Sequence, residues 1–198
     1  MSTATVPGFK TKATSGEGGD FELPPSGTHP AVLVALIDLG THQSRFDATK
    51  TVHKILLIWE LTAESDSSGN NFLITQDYTW SLNKKAGLRP IVEGFRAKTL
   101  ADNEEYDLGE MLGKPCVVSL SEGVSGSGKK FMDVTSVSPP MRGLTVPPAT
   151  HEPYGFLVDS LSSTLDAIDV PAWVPKIYGR NVVDDIKASH EFAKLPNF

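Results

Sequence analysis

Three observations predict a mainly β protein. Residues 27–137 hold five short segments rich in Val, Leu, Ile and aromatic residues, and a stretch of helical spacing falls between the third and the fourth. Gly, Ser and Pro-rich segments bracket this region on both sides. Strand, strand, strand, helix, strand, strand is the order of an OB-fold, a five-stranded barrel with a helix between strands 3 and 4. An α-helical extension is expected behind it.

Ala31 to Leu39 is an apolar run whose Val, Leu and Ile suit a strand buried on much of both faces. Val52 to Leu61 alternates Ile55, Leu57, Trp59 and Leu61 with Lys54, Leu56, Ile58 and Glu60, one face fully apolar and the other mixed. The cluster SDSSGNN turns the chain, so Phe72 to Tyr78 returns as the third antiparallel strand. Ser81 is placed to cap a helix carrying Leu82, Ala86, Ile91, Val92 and Phe95, with Pro90 as a kink. A shorter helix, Leu108 to Leu112, ends at Gly113. Pro115 to Leu120 and Phe131 to Val137 complete the strands, joined by the tip SEGVSGSGKK. Leu157 to Ile168 and Asn181 to Leu195 read as short helices separated by turns near Pro171 to Tyr178, the second with a modest amphipathic face of Val183, Ile186, His190, Phe192 and Ala193; with so few large apolar groups this part is expected to pack on the barrel or on a partner.

Composition divides the chain into a flexible arm (1–26), the barrel (27–137), a Pro-rich linker (138–153) and the helical extension (154–198). The arm has too few large apolar side chains to offset the entropy of ordering, and the segment from Val137 to Pro153 carries five prolines that lack backbone donors, which makes it a linker or a wrapping strap. The longest apolar run, Ala31 to Ile37, has seven residues where a membrane span needs ~20, and the first twenty residues hold no secretory apolar block. A cytosolic protein without membrane contact is expected. A single cysteine, Cys116, excludes an intrachain disulfide framework and reads as a small core residue. The five histidines show no ligand spacing, so no metal or cofactor is expected. Net charge −6 argues against a protein that coats duplex DNA, while leaving room for a local basic groove.

Two motifs have bland explanations. Gly123 to Lys129 matches the first seven positions of a P-loop, but Lys130 stands where a Ser or Thr should hold magnesium, and an alternating strand-like segment follows instead of a helix. Asp38, Glu60 and Asp77 lie on successive strands, yet none has a second acid or a histidine beside it, so solvated strand ends or lysine pairs explain them better than a two-metal site.

The better signal joins aromatic rings to cations, as sequence-tolerant single-strand binding requires. Tyr78 and Trp80 share strand parity, with Lys84, Lys85 and Arg89 immediately beyond; the alternative for the two rings is a place in the core. Arg45, Phe46 and Lys50 fall between the first two strands, Lys54 follows in the second strand, and Lys129 and Lys130 sit on the tip between the last two; these two loops are the usual binding loops of OB-folds.

The segments AVLVALIDLGTH (31–42), KILLIWEL (54–61), FLITQDYTWSLNKKAGLRPIVEGFR (72–96) and YDLGEMLGKPCVVSL (106–120) together resemble a family of small bacteriophage proteins. Its members carry an IIDLGTQ strand, a WEL strand, a YT-SL-x-K-x-x-LR junction into a helix, and an FDL-x-x-LLGK helix ahead of a strand. The resemblance implies an OB-fold single-stranded DNA-binding protein that acts in replication or recombination in the cytoplasm of an infected bacterial host. Many such proteins end in an acidic tail closed by an aromatic residue; here Phe198 is present but Lys194 interrupts the acids. Residues 154–198 are expected to dock phage or host replication or recombination proteins, or to mediate homo-oligomerisation. The reading from a different class is a non-enzymatic virion or anti-defence protein that uses the barrel as a scaffold.

Overall fold

The computed structural model describes residues 22–44, 47–126, 128–157, 171–174, 176–177 and 180–190. Five strands form the main path: β1 (Gly27–Gln43), β2 (Thr51–Ser65), β3 (Asn71–Thr79), β4 (Pro115–Val124) and β5 (Lys130–Ser138). They lie in the order β3-β2-β1-β4-β5 and pair antiparallel throughout. Helix α1 (Leu88–Arg96) and a 3-10 turn (Leu108–Met111) connect β3 to β4. The C-terminal part adds β6 (Tyr154–Phe156), a small hairpin of β7 (Lys176–Ile177) and β8 (Arg180–Asn181), and helix α2 (Val182–Lys187). No helix among the described residues is long and apolar enough to cross a membrane.

The strands follow the expected order of elements, but the sheet is not closed into a barrel. No ladder joins β3 to β5; across the seam the Val134 N–H donates to the side chain of Gln76 at Oε1, 2.8 Å away. Strands β1 and β2 run longer than their apolar runs, because pairing continues through polar residues to Gln43 opposite Thr51 and satisfies the backbone whatever the side chains. Strand β1 pairs with β4 only from Gly27 to Val32; beyond that point β6 occupies the same edge, in parallel with Ala35 to Ile37. Of the two readings of the Pro-rich segment, the strap is the one found: Val146 and Ala149 pack on the sheet, Thr150 and His151 are held by Glu60, and a strand of the main sheet follows.

Helix α1 is also shorter than expected. Residues before Leu88 form turns, in which Ser81 Oγ accepts the Asn83 N–H, and Pro90 sits in the first helical turn, where its missing donor would be unpaired anyway. Gly94 lets α1 approach β5 closely, since a Cβ there would overlap the Val137 carbonyl oxygen. In the C-terminal part α2 covers Val182–Lys187; residues 158–170 and 191–198, which hold most of the helix expected at Leu157 to Ile168 and the end of the one expected at Asn181 to Leu195, lie outside the described residues, as do 1–21 of the expected arm.

Two apolar layers result. On the inner face Leu33, Ile55, Leu57, Trp59, Ile74 and Val118 pack with Leu88, Ile91 and Val92 of α1. The buried thiol of Cys116 belongs to this layer, and desolvation pushes its pKa up to about 12. On the outer face Val32, Val34, Ile37, Leu56 and Ile58 are buried beneath Val174, Val182 and Ile186 of the C-terminal part.

Candidate nucleic-acid interface

Trp80 leaves the sheet where β3 ends. Its N–H donates to the His53 carbonyl at 2.8 Å, and its indole meets the His53 imidazole edge-on, with centroids 5.2 Å apart at 87°. His53 is itself held, because Nε2–H donates to Asp38 Oδ1 at 2.6 Å, and that buried oxygen also accepts the Gly40 N–H at 2.8 Å. The indole is 38% exposed, so a ring of fixed orientation faces solvent at this rim. Lys54 lies behind it, paired with Asp77 at 3.0 Å, and Lys50 in the β1–β2 loop pairs with Asp47 at 2.8 Å. Lys50, with help from Thr49, holds the Asp47 carboxyl below the ordinary carboxylate range. Arg45 and Phe46 lie outside the described residues.

Tyr78 does not share this surface, and the expected aromatic pair is corrected. It stands opposite Ile55 and points inward, only 8% exposed, whereas Trp80 follows the last paired residue, Thr79, so strand parity no longer governs it. Burial, reinforced by the charges of Asp133 and Asp77, raises the Tyr78 phenol far above its usual pKa, and its hydroxyl has no hydrogen-bond partner among the described residues.

Arg89 is likewise built into the fold. Its guanidinium pairs with Glu93 at 2.8 Å and donates to the carbonyls of Leu82 and Leu100, tying two loops to α1. The Leu100 N–H, followed by Arg89, keeps the Glu93 carboxyl below its ordinary pKa. Lys84 and Lys85 precede α1 and so do not share a helix face with Arg89. Lys84 pairs with Asp102 at 2.9 Å, while Lys85 is exposed with no ion pair among the described residues.

The β4–β5 tip is a hairpin, closed by the Ser125 N–H on the Lys129 carbonyl at 2.8 Å and by Ser125 Oγ accepting from the Lys129 N–H at 3.0 Å. Lys129 and Lys130 are exposed there, and Lys130 pairs with Glu122 at 2.9 Å. The tip also carries Phe131, which the sequence reading had counted only as a strand residue. It is 43% exposed and lies over Gly123 on the paired strand, where a Cβ would come within 2.5 Å of its Cζ. The signal was the period of two, since inward Met132 and Val134 put Phe131 on the outside.

The three strand carboxylates do not converge. Asp38 holds His53 and Gly40, Asp77 holds Lys54, and Glu60 is fully buried on the outer face of β2. Glu60 accepts from Asn71 Nδ2 (2.6 Å), the Thr150 N–H (2.7 Å) and hydroxyl (2.8 Å), and the His151 N–H (3.0 Å) and Nδ1 (2.8 Å). Burial alone would raise its pKa, yet these donors, the Thr150 amide foremost, bring it down to about 2. This carboxylate locks the strap to the sheet. No group of three or more metal-ligating side chains occurs among the described residues. Comparison of the chain with family models and with curated proteins gives no match.

Proposed function

We propose that this chain is a sequence-independent single-stranded DNA-binding protein of a bacteriophage, acting in DNA replication or recombination on an OB-fold scaffold. The strand order β3-β2-β1-β4-β5, with α1 between β3 and β4, supports the fold reading, and the four sequence segments that resemble phage proteins support the biological one. The observation that carries the function is Trp80, an exposed indole set in place by His53 and the buried Asp38 carboxylate. A base stacks on a ring of this kind whatever its identity, and fixing the ring beforehand lowers the entropy of binding.

Phosphates are met by exposed lysines at the same rim and on the tip. Lys50, Lys84 and Lys130 have acidic neighbours, but exposed ion pairs of this type are worth only ~0–1 kcal/mol, so a phosphate can take the lysine over. Nothing in this mechanism requires a chemical step, a metal or a cofactor. Partner docking and self-association are assigned to residues 154–198.

The test is a titration of labelled oligo-dT at several salt concentrations, with duplex DNA and oligo-rU as controls. Binding to dT that weakens with salt, prefers dT to duplex and quenches tryptophan emission is the expected result. Trp80→Ala should cost ~1–3 kcal/mol with an unchanged salt slope, because stacking releases few counterions. One observation favours the scaffold reading: Lys50, Lys54, Lys84, Arg89 and Lys130 all have acidic partners. A folded chain that binds no oligonucleotide at low salt selects that reading.

A further inference from the structure

Strands β3 and β5 face each other across the open seam and run in the same direction, because each is two antiparallel steps from β1. The bond from Val134 to Gln76 fixes their register. Trp80 lies four residues beyond Gln76, and Phe131 lies three residues before Val134, so the two exposed rings are separated along the seam by about 23 Å at ~3.3 Å per strand residue. At ~3.4 Å per stacked nucleotide that distance takes about seven nucleotides. OB-folds engage ~4–16.

The competing route, over the outer face of β1 and β2, is already filled. Val34, Ile37, Leu56 and Ile58 are buried there under Val174, Val182 and Ile186, and Glu60 locks the strap across the same face. Among the described residues no such cover lies over the two rings of the seam, and Lys129 and Lys130 stand beside Phe131 in the chain. Two acids lie on the route: Asp77, held by Lys54, and Asp133, exposed two residues after Phe131 with no ion pair among the described residues.

We propose that single-stranded DNA crosses the molecule along the β3–β5 seam, with Trp80 and Phe131 as its two stacking positions and Asp133 as a repulsive charge between them. The proposal rests on the single-stranded DNA reading and names the path within it. Phe131 packs over Gly123 and is 43% exposed, so it offers a base a ring at the tip as Trp80 does at the rim.

The experiment uses the full chain and labelled dT12 at low and moderate salt. Phe131→Ala should weaken binding ~5- to 150-fold, as loss of one stacked base does. Phe131→Leu keeps an apolar cover on Gly123 but removes the ring, and it should weaken binding in the same way with melting unchanged, which separates stacking from stability. Asp133→Asn should tighten binding several-fold at low salt and less at higher salt, a gain that an acid away from the DNA would not give. If dT12 binds and Trp80→Ala weakens it while the Phe131 and Asp133 variants behave as the unaltered chain, the seam path is wrong and the binding function stands. If the unaltered chain binds no dT12 at low salt, both fall together.

Discussion

The outer face of β1 and β2 and the seam between β3 and β5 belong to one sheet, yet they have opposite fates. On the first, apolar side chains and one carboxylate are sealed under a segment more than a hundred residues further along the chain from β1. On the second, two aromatic rings stay in solvent, one of them propped by a histidine and a buried acid. The difference teaches that alternation within a strand assigns a side chain to a face, while a remote segment decides whether that face is closed. Residues built into the fold and residues left available can therefore be separated by variants that strike stability or binding, but not both.

The largest effect is expected at Glu60. Glu60→Ala leaves the Thr150 and His151 amides and Asn71 without the buried carboxylate they share, which should destabilise the protein by ~3–5 kcal/mol and lower its melting temperature by roughly 6–20 °C. Hydrogen exchange at Thr150 and His151 should accelerate well before that of the inner strands. A variant that melts like the unaltered chain would mean that the strap is held by its apolar contacts alone.

Acid gives a milder version of the same experiment. The Glu60 carboxyl titrates near 2 in the folded chain against 4.5 for an ordinary glutamate, so between those values the unfolded chain binds more protons than the folded one. Stability from this group is complete above about pH 4.5 and drains away as pH falls toward 2, by at most roughly 3 kcal/mol. Urea melts recorded across that window should show the decline, and Glu60→Gln should flatten it.

Much of the sheet was legible because its strands follow a period of two and its turns carry Gly, Ser, Asn and Asp. The apolar run at Ala31 to Leu39 correctly announced a strand covered on both faces. That the C-terminal part packs on the sheet was one of two readings of its composition, but which side chains do so was not legible, because Val174, Val182 and Ile186 are sparse apolar residues without a clear period. Glu60 read as a solvated strand acid for the same reason, since its partners are eleven and ninety or more residues away. Arg89 was misjudged because its two carbonyl partners sit in loops, where no periodicity predicts geometry.

Arg89 and Lys85, close in sequence, should fail differently. Arg89→Ala removes an ion pair and two bonds to carbonyls that hold loops onto α1, so a loss of ~1.5–3 kcal/mol in stability is expected. Its salt slope for dT binding should stay put. Lys85→Ala should leave melting unchanged and lower the magnitude of that slope by up to ~0.7, the share of one single-strand phosphate contact. A stable Arg89→Ala protein with a flattened slope would move Arg89 from the fold to the binding surface.

The smallest effect, and the sharpest contrast, lies between Tyr78 and Trp80. Their side chains are two residues apart, one in the core and the other at the rim. The Tyr78 hydroxyl is buried with no partner among the described residues, so Tyr78→Phe deletes a polar group whose burial is unfavourable and keeps the ring's packing. Stability at neutral pH should stay level or rise by up to ~1 kcal/mol, and dT affinity should not change. The alkaline limb adds a second readout. Burial raises the folded phenol above its ordinary value of 10.0, so above that pH the unfolded chain has released a proton that the folded chain retains. Stability then falls as pH rises beyond about 10, and Tyr78→Phe should remove that part of the fall. If Tyr78→Phe instead weakens dT binding while the fold is intact, the hydroxyl reaches the DNA, and the division between a sealed core residue and an open rim residue fails where it was drawn most finely.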